Sequence, residues 1–490
     1  MNRPLRRMAA VLMAMFLALL VNATYVQGFA AEKLREQPSN SRQVLAEYDR
    51  QRGPILVDRK PVARSTATKD RLRYLRRYPS GRTYAHVTGY YSYVYGADQV
   101  ERAGNGVLAG TGEQLAFRRA IDVLTGRERE GGSVELTLDP RAQEAAAEGL
   151  AGLGEDARGA VVALDPTTGA VLAMASRPTY DPNDLSSHDG DAIRAAWKEL
   201  TGDPANPLLN RGIDRTYPPG STFKIVTAAA ALSSGRYTPE GDVPGPARLD
   251  LPLTTASLPN YDNRQCTPGR NTTTLVQALE RSCNTTFGAI GMELGAGALA
   301  DQAAAFGFGQ SFEVPMSTAA SAFPQDPDQP QTAQSAIGQY DVQATPLQMA
   351  MVAAGVANGG VVMRPQLVEE VLGPDFSRLD HTDPSELGRA VEPEVAAQLR
   401  DMMVSVVENG TGTNAQIPGV KVAGKTGTAQ VAKGIPPHAW FVSFAPAEAG
   451  QDPRVAVAVV VENGAQQAEV SGNRLAAPIA RAVTEAVLSR

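Results

Sequence analysis

The sequence predicts an α/β (α+β) protein in which a large mixed region follows a small β-rich module and one N-terminal membrane helix. Three observations predict this. Its 490 residues exceed one ordinary core, so two or more domains follow. The chain opens with Arg3, Arg6 and Arg7 ahead of an unbroken apolar run, residues 8–21. Beyond about residue 132, β-branched strand patterns alternate with Ala-rich helical ones, whereas 32–130 shows little long apolar periodicity.

Taken in order, residues 1–31 come first. As a helix, the stretch from Met8 to Ala31 measures about 36 Å, enough for a bilayer core of about 30 Å. The flanking arginines keep the N-terminus in the cytoplasm and place everything after it outside. A cleaved signal peptide, with Gly28-Phe29-Ala30 as the small-residue site, is the alternative, and both readings export the rest. Residues 32–135 read as a module of their own, with β-like pieces around 55–56 and 84–95. Residues 134–138 alternate like a strand, and Asp139-Pro140 starts an Ala- and Glu-rich helix reaching about Leu153. Within 136–490, residues 161–164 and 170–174 form a hairpin across Asp165-Pro166-Thr167-Thr168-Gly169. Helices are expected at 221–232, 275–294, 346–357 and 393–409, and strands at 440–444 and 455–461. The Pro/Asp/Gln-rich loop between Phe323 and Gln331 is assigned no role.

The net charge of −6 argues against a nucleic-acid surface. His86, His188, His381 and His438 have no metal-ligand spacing, so no metal and no cofactor is expected. The only cysteines, Cys266 and Cys283, lie past the export signal, where a pair can oxidise. A disulfide would tie the Cys266 loop to residues 282–284; two free thiols buried as small hydrophobes are the alternative.

Chemistry concentrates in three short motifs. Ser221-Thr222-Phe223-Lys224 follows Pro218-Pro219-Gly220 and opens an apolar run, which sets Ser221 at a helix start and Lys224 one turn on. A serine hydroxyl is a poor nucleophile until something takes its proton. Lys224 is the nearest base, and it serves only if its pKa is lowered. A helix N-terminus disfavours a charged lysine and offers free N–H groups to an oxyanion. Downstream stand Ser282-Cys283-Asn284 and Lys425-Thr426-Gly427-Thr428, the latter with Gly424 and Gly427 allowing close backbone approach. Each motif alone fits a turn, a cap or a strand end. In this order together they are an acyl-enzyme signature. A histidine-based triad through His438 is the competing arrangement.

With these motifs, residues 141 to the C-terminus resemble the penicillin-binding proteins, serine D,D-transpeptidases that cross-link peptidoglycan. The likeness extends to Tyr217-Pro218-Pro219-Gly220, to 159–165 with Thr168-Gly169, to 345–350, to Ala439-Trp440-Phe441-Val442 and to 476–480. Arg52-Gly53-Pro54-Ile55 and 96–101 are similar, more weakly, to the N-terminal module of class B, high-molecular-mass members. The short, tail-less chain is most similar to an actinobacterial type.

The resemblance implies an antiparallel sheet flanked by helices and an uncleaved membrane anchor with the catalytic domain outside. It also implies roles. Ser221 attacks the penultimate D-Ala carbonyl of a pentapeptide stem, Lys224 takes its proton, and Ser282 relays one to the leaving amine. Asn284 holds the side of the peptide, while Lys425 and Thr426 bind its terminal carboxylate. The Ser221 and Thr428 N–H groups, the latter next to Gly427, form the oxyanion hole. β-Lactams should acylate Ser221, and the N-terminal module should dock on an integral-membrane glycan polymerase of the SEDS family. Cross-linking would serve division or elongation. Two rival readings remain, a serine β-lactamase and a non-catalytic β-lactam-binding scaffold. The first requires a deacylating base, and neither Glu293 nor Glu313 stands in the Glu-x-x-x-Asn setting of class A. Class D enzymes carry valine where Asn284 stands.

Overall fold

Helix α1 (Asn2–Gly28) carries the N-terminal apolar run, and its stretch Arg6–Val26 is long and apolar enough to cross a membrane. The structure is a computed structural model describing residues 2–28, 48–112, 130–431, 434–466 and 470–489. The candidate cleavage site reaches residues 29–30, outside the described residues.

The N-terminal module begins with strands β1 (Ile55–Val57), β2 (Lys60–Ala67) and β3 (Tyr74–Arg77), an antiparallel meander. Residues 84–95, expected as strand, begin as helix: α2 spans Gly81–Thr88, and only Tyr91–Ser92 pairs as strand within the stretch, with Gly96–Ala97. Tyr84, Ala85, His86, Val87 and Thr88 are all buried, and that packing overrides the β preference of Tyr, Val and Thr. Glu101, fully buried, accepts hydrogen bonds from Arg52 Nε (2.6 Å), Arg76 Nε (2.7 Å) and the Tyr78 hydroxyl (3.0 Å).

Strand β4 (Ser133–Leu136) pairs parallel with β1, and Asp139 caps helix α3 (Pro140–Ala151) by accepting from the Arg141 and Ala142 N–H groups. Then come the hairpin strands β5 (Arg158–Leu164) and β6 (Val171–Arg177) and helix α4 (Lys224–Ser233). Helices α5 (Leu275–Glu280), α6 (Asn284–Leu294) and α7 (Pro346–Ala357) follow. Strands β7 (Val368–Leu372) and β8 (Arg378–His381) precede helix α8 (Pro393–Glu408). The chain finishes with β9 (Ala423–Ala429), β10 (His438–Ala445), β11 (Val455–Glu462) and helix α9 (Ala477–Leu488).

Two sheets organise these elements. One, in the order β8-β7-β4-β1-β2-β3, joins the module to the large region, since β4 bonds to β1 on one side and to β7 on the other. The other is antiparallel, in the order β9-β10-β11-β5-β6. Its strands are buried on both faces, so alternate residues feed two cores. Ala456, Ala458 and Val460 of β11 pack with α4 and α7, whereas Val457, Val459 and Val461 pack with α3 and α9.

Two expected helices differ in ways that shape the site. The helix expected at 221–232 begins as a 3-10 turn, Gly220–Phe223, and becomes α only at Lys224. The single helix expected at 275–294 is broken at 281–283, where Ser282 takes φ +59°. Buried Leu275, Ala278 and Leu279 before the break and Phe287 and Ile290 after it continue one apolar rhythm, so periodicity could not reveal it. The left-handed turn at a non-glycine residue costs about 1–2 kcal/mol. It is clamped by the Cys266–Cys283 disulfide, Cα atoms 5.8 Å apart. The 323–331 loop contributes a cap: Asp328 and Gln331 form a capping box on the helix Gln329–Ser335.

Candidate active site

Ser221 stands in the 3-10 turn that Pro218-Pro219-Gly220 prepares. Gly220 has φ +54° and donates its N–H to the Gly338 carbonyl at 2.9 Å. A Cβ at Gly338 would lie 2.1 Å from the Gly220 oxygen, so glycine is obligatory there. The Trp440 indole N–H bonds the Pro218 carbonyl (3.1 Å), which fixes the turn to β10. Strand β9 runs over the turn: a Cβ at Gly220 would lie 2.8 Å from the Thr428 oxygen. Gly427 is required by packing, since a Cβ there would meet Thr222 and Trp440 at 2.9 Å. The same holds for Gly424, where a Cβ would come within 2.7 Å of the Phe441 ring.

Lys224 is completely buried. Its Nζ donates to the Ser282 carbonyl and to Asn284 Oδ1, both at 2.7 Å, and lies 3.3 Å from Ser282 Oγ. The Asn284 amide is oriented by its own N–H₂, which donates to the Pro259 carbonyl (3.0 Å). Lys425, equally buried, reaches Ser282 from the other side and donates to its Oγ and to the Thr426 carbonyl, each at 2.9 Å. Ser282 therefore lies between two amines, and the helix break presents both its hydroxyl and its carbonyl to them. Ser221 and Ser282 are partly exposed, Thr428 is exposed and Thr426 is buried.

Neither lysine has an ion-pair partner among the described residues, and burial therefore dominates their titration. Burial, reinforced by the charge of Lys425, holds Lys224 well below the ordinary lysine range. Burial alone lowers Lys425 to about 7. A neutral amine has two protons and one lone pair. With the Ser282 carbonyl and Asn284 accepting those two protons, a neutral Lys224 keeps one lone pair for a third, and the Ser282 hydroxyl at 3.3 Å is the remaining neighbour of Nζ.

His438 does not join this cluster. Its Nδ1 accepts from the Asn463 N–H (3.2 Å), and its ring packs edge-on against Tyr217 (5.4 Å between centroids). Tyr217 donates to Glu462 (2.7 Å), which is also paired with Arg211 (2.9 Å) behind the turn. Among the described residues no group of three His, Cys, Asp or Glu side chains could hold a metal.

Sequence reasoning missed Thr411 and Glu280. The Thr411 hydroxyl bonds the Thr426 hydroxyl (2.7 Å), and its N–H bonds the Glu280 carbonyl (3.1 Å), so one residue ties β9 to the end of α5. Ser405 of α8 donates to the Glu280 carboxylate. Asn409-Gly410-Thr411-Gly412-Thr413 follows the helix expected to end at 409, and nothing in its sequence announces which side of the cleft it meets.

Known proteins match both parts of the chain. Residues 159–485 fit the penicillin binding protein transpeptidase domain, and 52–134 fit the penicillin binding protein A dimerisation domain. The peptidoglycan D,D-transpeptidase PbpA of Mycolicibacterium smegmatis is 46% identical over 100% of this chain and 99% of its own. PbpA of Mycobacterium tuberculosis is 45% identical with the same coverage. A ceftriaxone acyl-enzyme complex of M. tuberculosis penicillin-binding protein A superposes with TM-score 0.87 at 44% identity, covering 91% of this chain and 100% of that one. The penicillin G acyl-enzyme complex gives 0.84 at the same identity, over 90% and 100%. On this evidence the chain belongs to the penicillin-binding protein transpeptidase family.

Proposed function

We propose that the protein is a peptidoglycan D,D-transpeptidase that works through an acyl-enzyme on Ser221. The observation that carries this is Lys224 completely buried one turn after Ser221, with only the neutral oxygens of Ser282 and Asn284 as hydrogen-bond partners among the described residues, a setting that favours its neutral, basic form. Lys224 removes the Ser221 proton as Oγ attacks the penultimate D-Ala carbonyl of a stem peptide. The developing oxyanion is held by the Ser221 and Thr428 N–H groups, a contribution of about 2.7–4 kcal/mol per donor. The C–N bond to the terminal D-Ala breaks, and Ser282 hands that amine a proton. An amine of a second stem then attacks the ester, its proton returns through Lys224, and Ser221 is released beside the new amide. Asn284 holds the flank of the donor. Thr426 and Lys425 bind its carboxylate, with Lys425 charged when an anion sits against it. β-Lactams follow the same first step.

The chain divides on this reading into the anchor at 1–31, the module at 32–135 and the transpeptidase domain at 136–490. The anchor crosses the membrane once and leaves the catalytic domain outside. The module offers a surface to a SEDS-family glycan polymerase.

No carboxylate bonds Ser221, Lys224, Ser282 or Lys425 among the described residues, so the acyl-enzyme lacks the carboxylate base that a class A β-lactamase adds to activate water. That forfeits a factor of about 10²–10⁴ in deacylation. The penicilloyl adduct should survive for minutes to hours in intact-mass time courses and be absent from Ser221→Ala. Release within seconds with steady penicillin hydrolysis would make the protein a β-lactamase. Stable labelling without turnover of a D-Ala-D-Ala donor would make it a scaffold.

A further inference from the structure

The hairpin of β2 and β3 is charged unlike the rest of the chain. Residues 64–82 hold seven basic side chains and one acid, in a protein of net charge −6. Arg76 is buried against Glu101; the other six are exposed. Arg64 and Arg77 stand directly opposite each other in the β2–β3 register, a like-charge pair that is unfavourable without an anion beside it. The single acid, Asp70, is already engaged by the Thr68 hydroxyl, the Leu72 N–H and the His188 ring. Arg64, Lys69, Arg71 and Arg77 have no ion-pair partner among the described residues. Basic residues on an edge strand discourage edge-to-edge pairing, but one or two on β3 would suffice for that.

The hairpin tip also marks where the chain enters the module. Tyr48 stacks on Tyr91 (4.9 Å), meets the edge of His188 (6.0 Å) and clusters with Leu72. His188 in turn clamps the tip through Asp70 (2.7 Å) and the Tyr74 carbonyl (3.1 Å). Residues 29–47 join Tyr48 to the end of α1, and even fully extended they reach at most about 70 Å.

We propose that the β2–β3 hairpin, through Lys69 and Arg71 in its turn and Arg64 and Arg77 at the far end of its ladder, docks on the anionic phospholipid headgroups of the bilayer that holds α1. The inference rests on α1 lying in a bilayer. Each basic residue at an anionic surface strengthens the contact roughly fivefold, and the attraction fades beyond about 10 Å at 0.1 M salt.

The test uses the full chain in nanodiscs. Because the two native cysteines are joined, a bimane dye attached to Ala67→Cys reports on the tip alone. Headgroup spin-labelled lipid should quench it in phosphatidylglycerol discs at about 0.1 M salt and lose that effect at about 0.5 M. Quenching should also be lost in phosphatidylcholine discs and in Arg64→Glu/Arg77→Glu, while Ser221 still takes penicillin. If that variant fails to fold, Arg64→Gln/Arg77→Gln should weaken quenching instead. Equal quenching in both lipids would overturn the proposal, because it denies headgroup charge a role. No quenching in phosphatidylglycerol would also overturn it and return the hairpin to an acidic protein partner.

Discussion

Two of the buried charged sites among the described residues treat charge in opposite ways. In the module, Glu101 is held by Arg52 and Arg76, which ties the segment before β1 and strand β3 to the Glu101 carboxylate. Around Ser282, Lys224 and Lys425 are equally buried but face only neutral oxygens. Pairing makes a charge structural; leaving an amine unpaired keeps it reactive. Both sites make stability rise with pH, but in different windows and for different physical reasons. Burial pushes Glu101 upward, but the charges of Arg76 and Arg52 outweigh it and hold the carboxyl below its ordinary value of 4.5. Its contribution to stability is present above 4.5 and lost as pH falls through the folded value. Lys425 sits at about 7 against an ordinary 10.5, so the unfolded chain binds more protons across that window and stability rises with pH there.

The largest effect should come from the unpaired site. Lys224→Arg restores a permanent charge, because a guanidinium keeps its proton. Stopped-flow acylation by penicillin should slow by about 10²–10⁴. A near-normal rate would pass the base role to Lys425 or His438. The paired site should fail differently. Glu101→Gln leaves two buried guanidinium groups uncompensated and should cost about 3–5 kcal/mol in denaturant unfolding. Acylation of the molecules that stay folded should be unchanged. A loss of acylation equal to that of Lys224→Arg would erase the distinction between the sites. The smallest effect belongs to Thr411→Val, which removes the hydroxyl that orients Thr426. The missing bond is worth about 0.5–1.5 kcal/mol, so acylation should fall up to about tenfold. The loss should be confined to substrates with the carboxylate that Thr426 holds; an equal loss on an ester lacking it would deny the positioning role.

The same contrast explains what the sequence revealed. The catalytic motifs are local: Ser221 and Lys224 are three residues apart, and Lys425-Thr426-Gly427 lies within one strand. Strands β5, β6, β10 and β11 were legible because β-branched runs and the Asp165–Gly169 turn are local too. The break at Ser282 was not, because it depends on Cys266, Lys224 and Lys425 meeting in space. Nor was α2, whose Tyr- and Val-rich sequence becomes helical only against the module's core. Arg52 and Glu101 lie 49 residues apart, and no spacing rule connects them.

The central claim is that Lys224 is neutral at working pH, and the pH dependence of Ser221 acylation tests it most directly. Lys224 and Lys425 titrate as a coupled pair, so the profile belongs to both. With one proton between them, Lys425 carries it and Lys224 stays a base. The rate should already be on its plateau at about pH 8, stay there as Lys425 takes the first proton near 7, and fall only at lower pH, when Lys224 is protonated in turn. A rate that climbs steeply towards the ordinary lysine value of 10.5 would show that burial does not lower Lys224, and the account would be wrong.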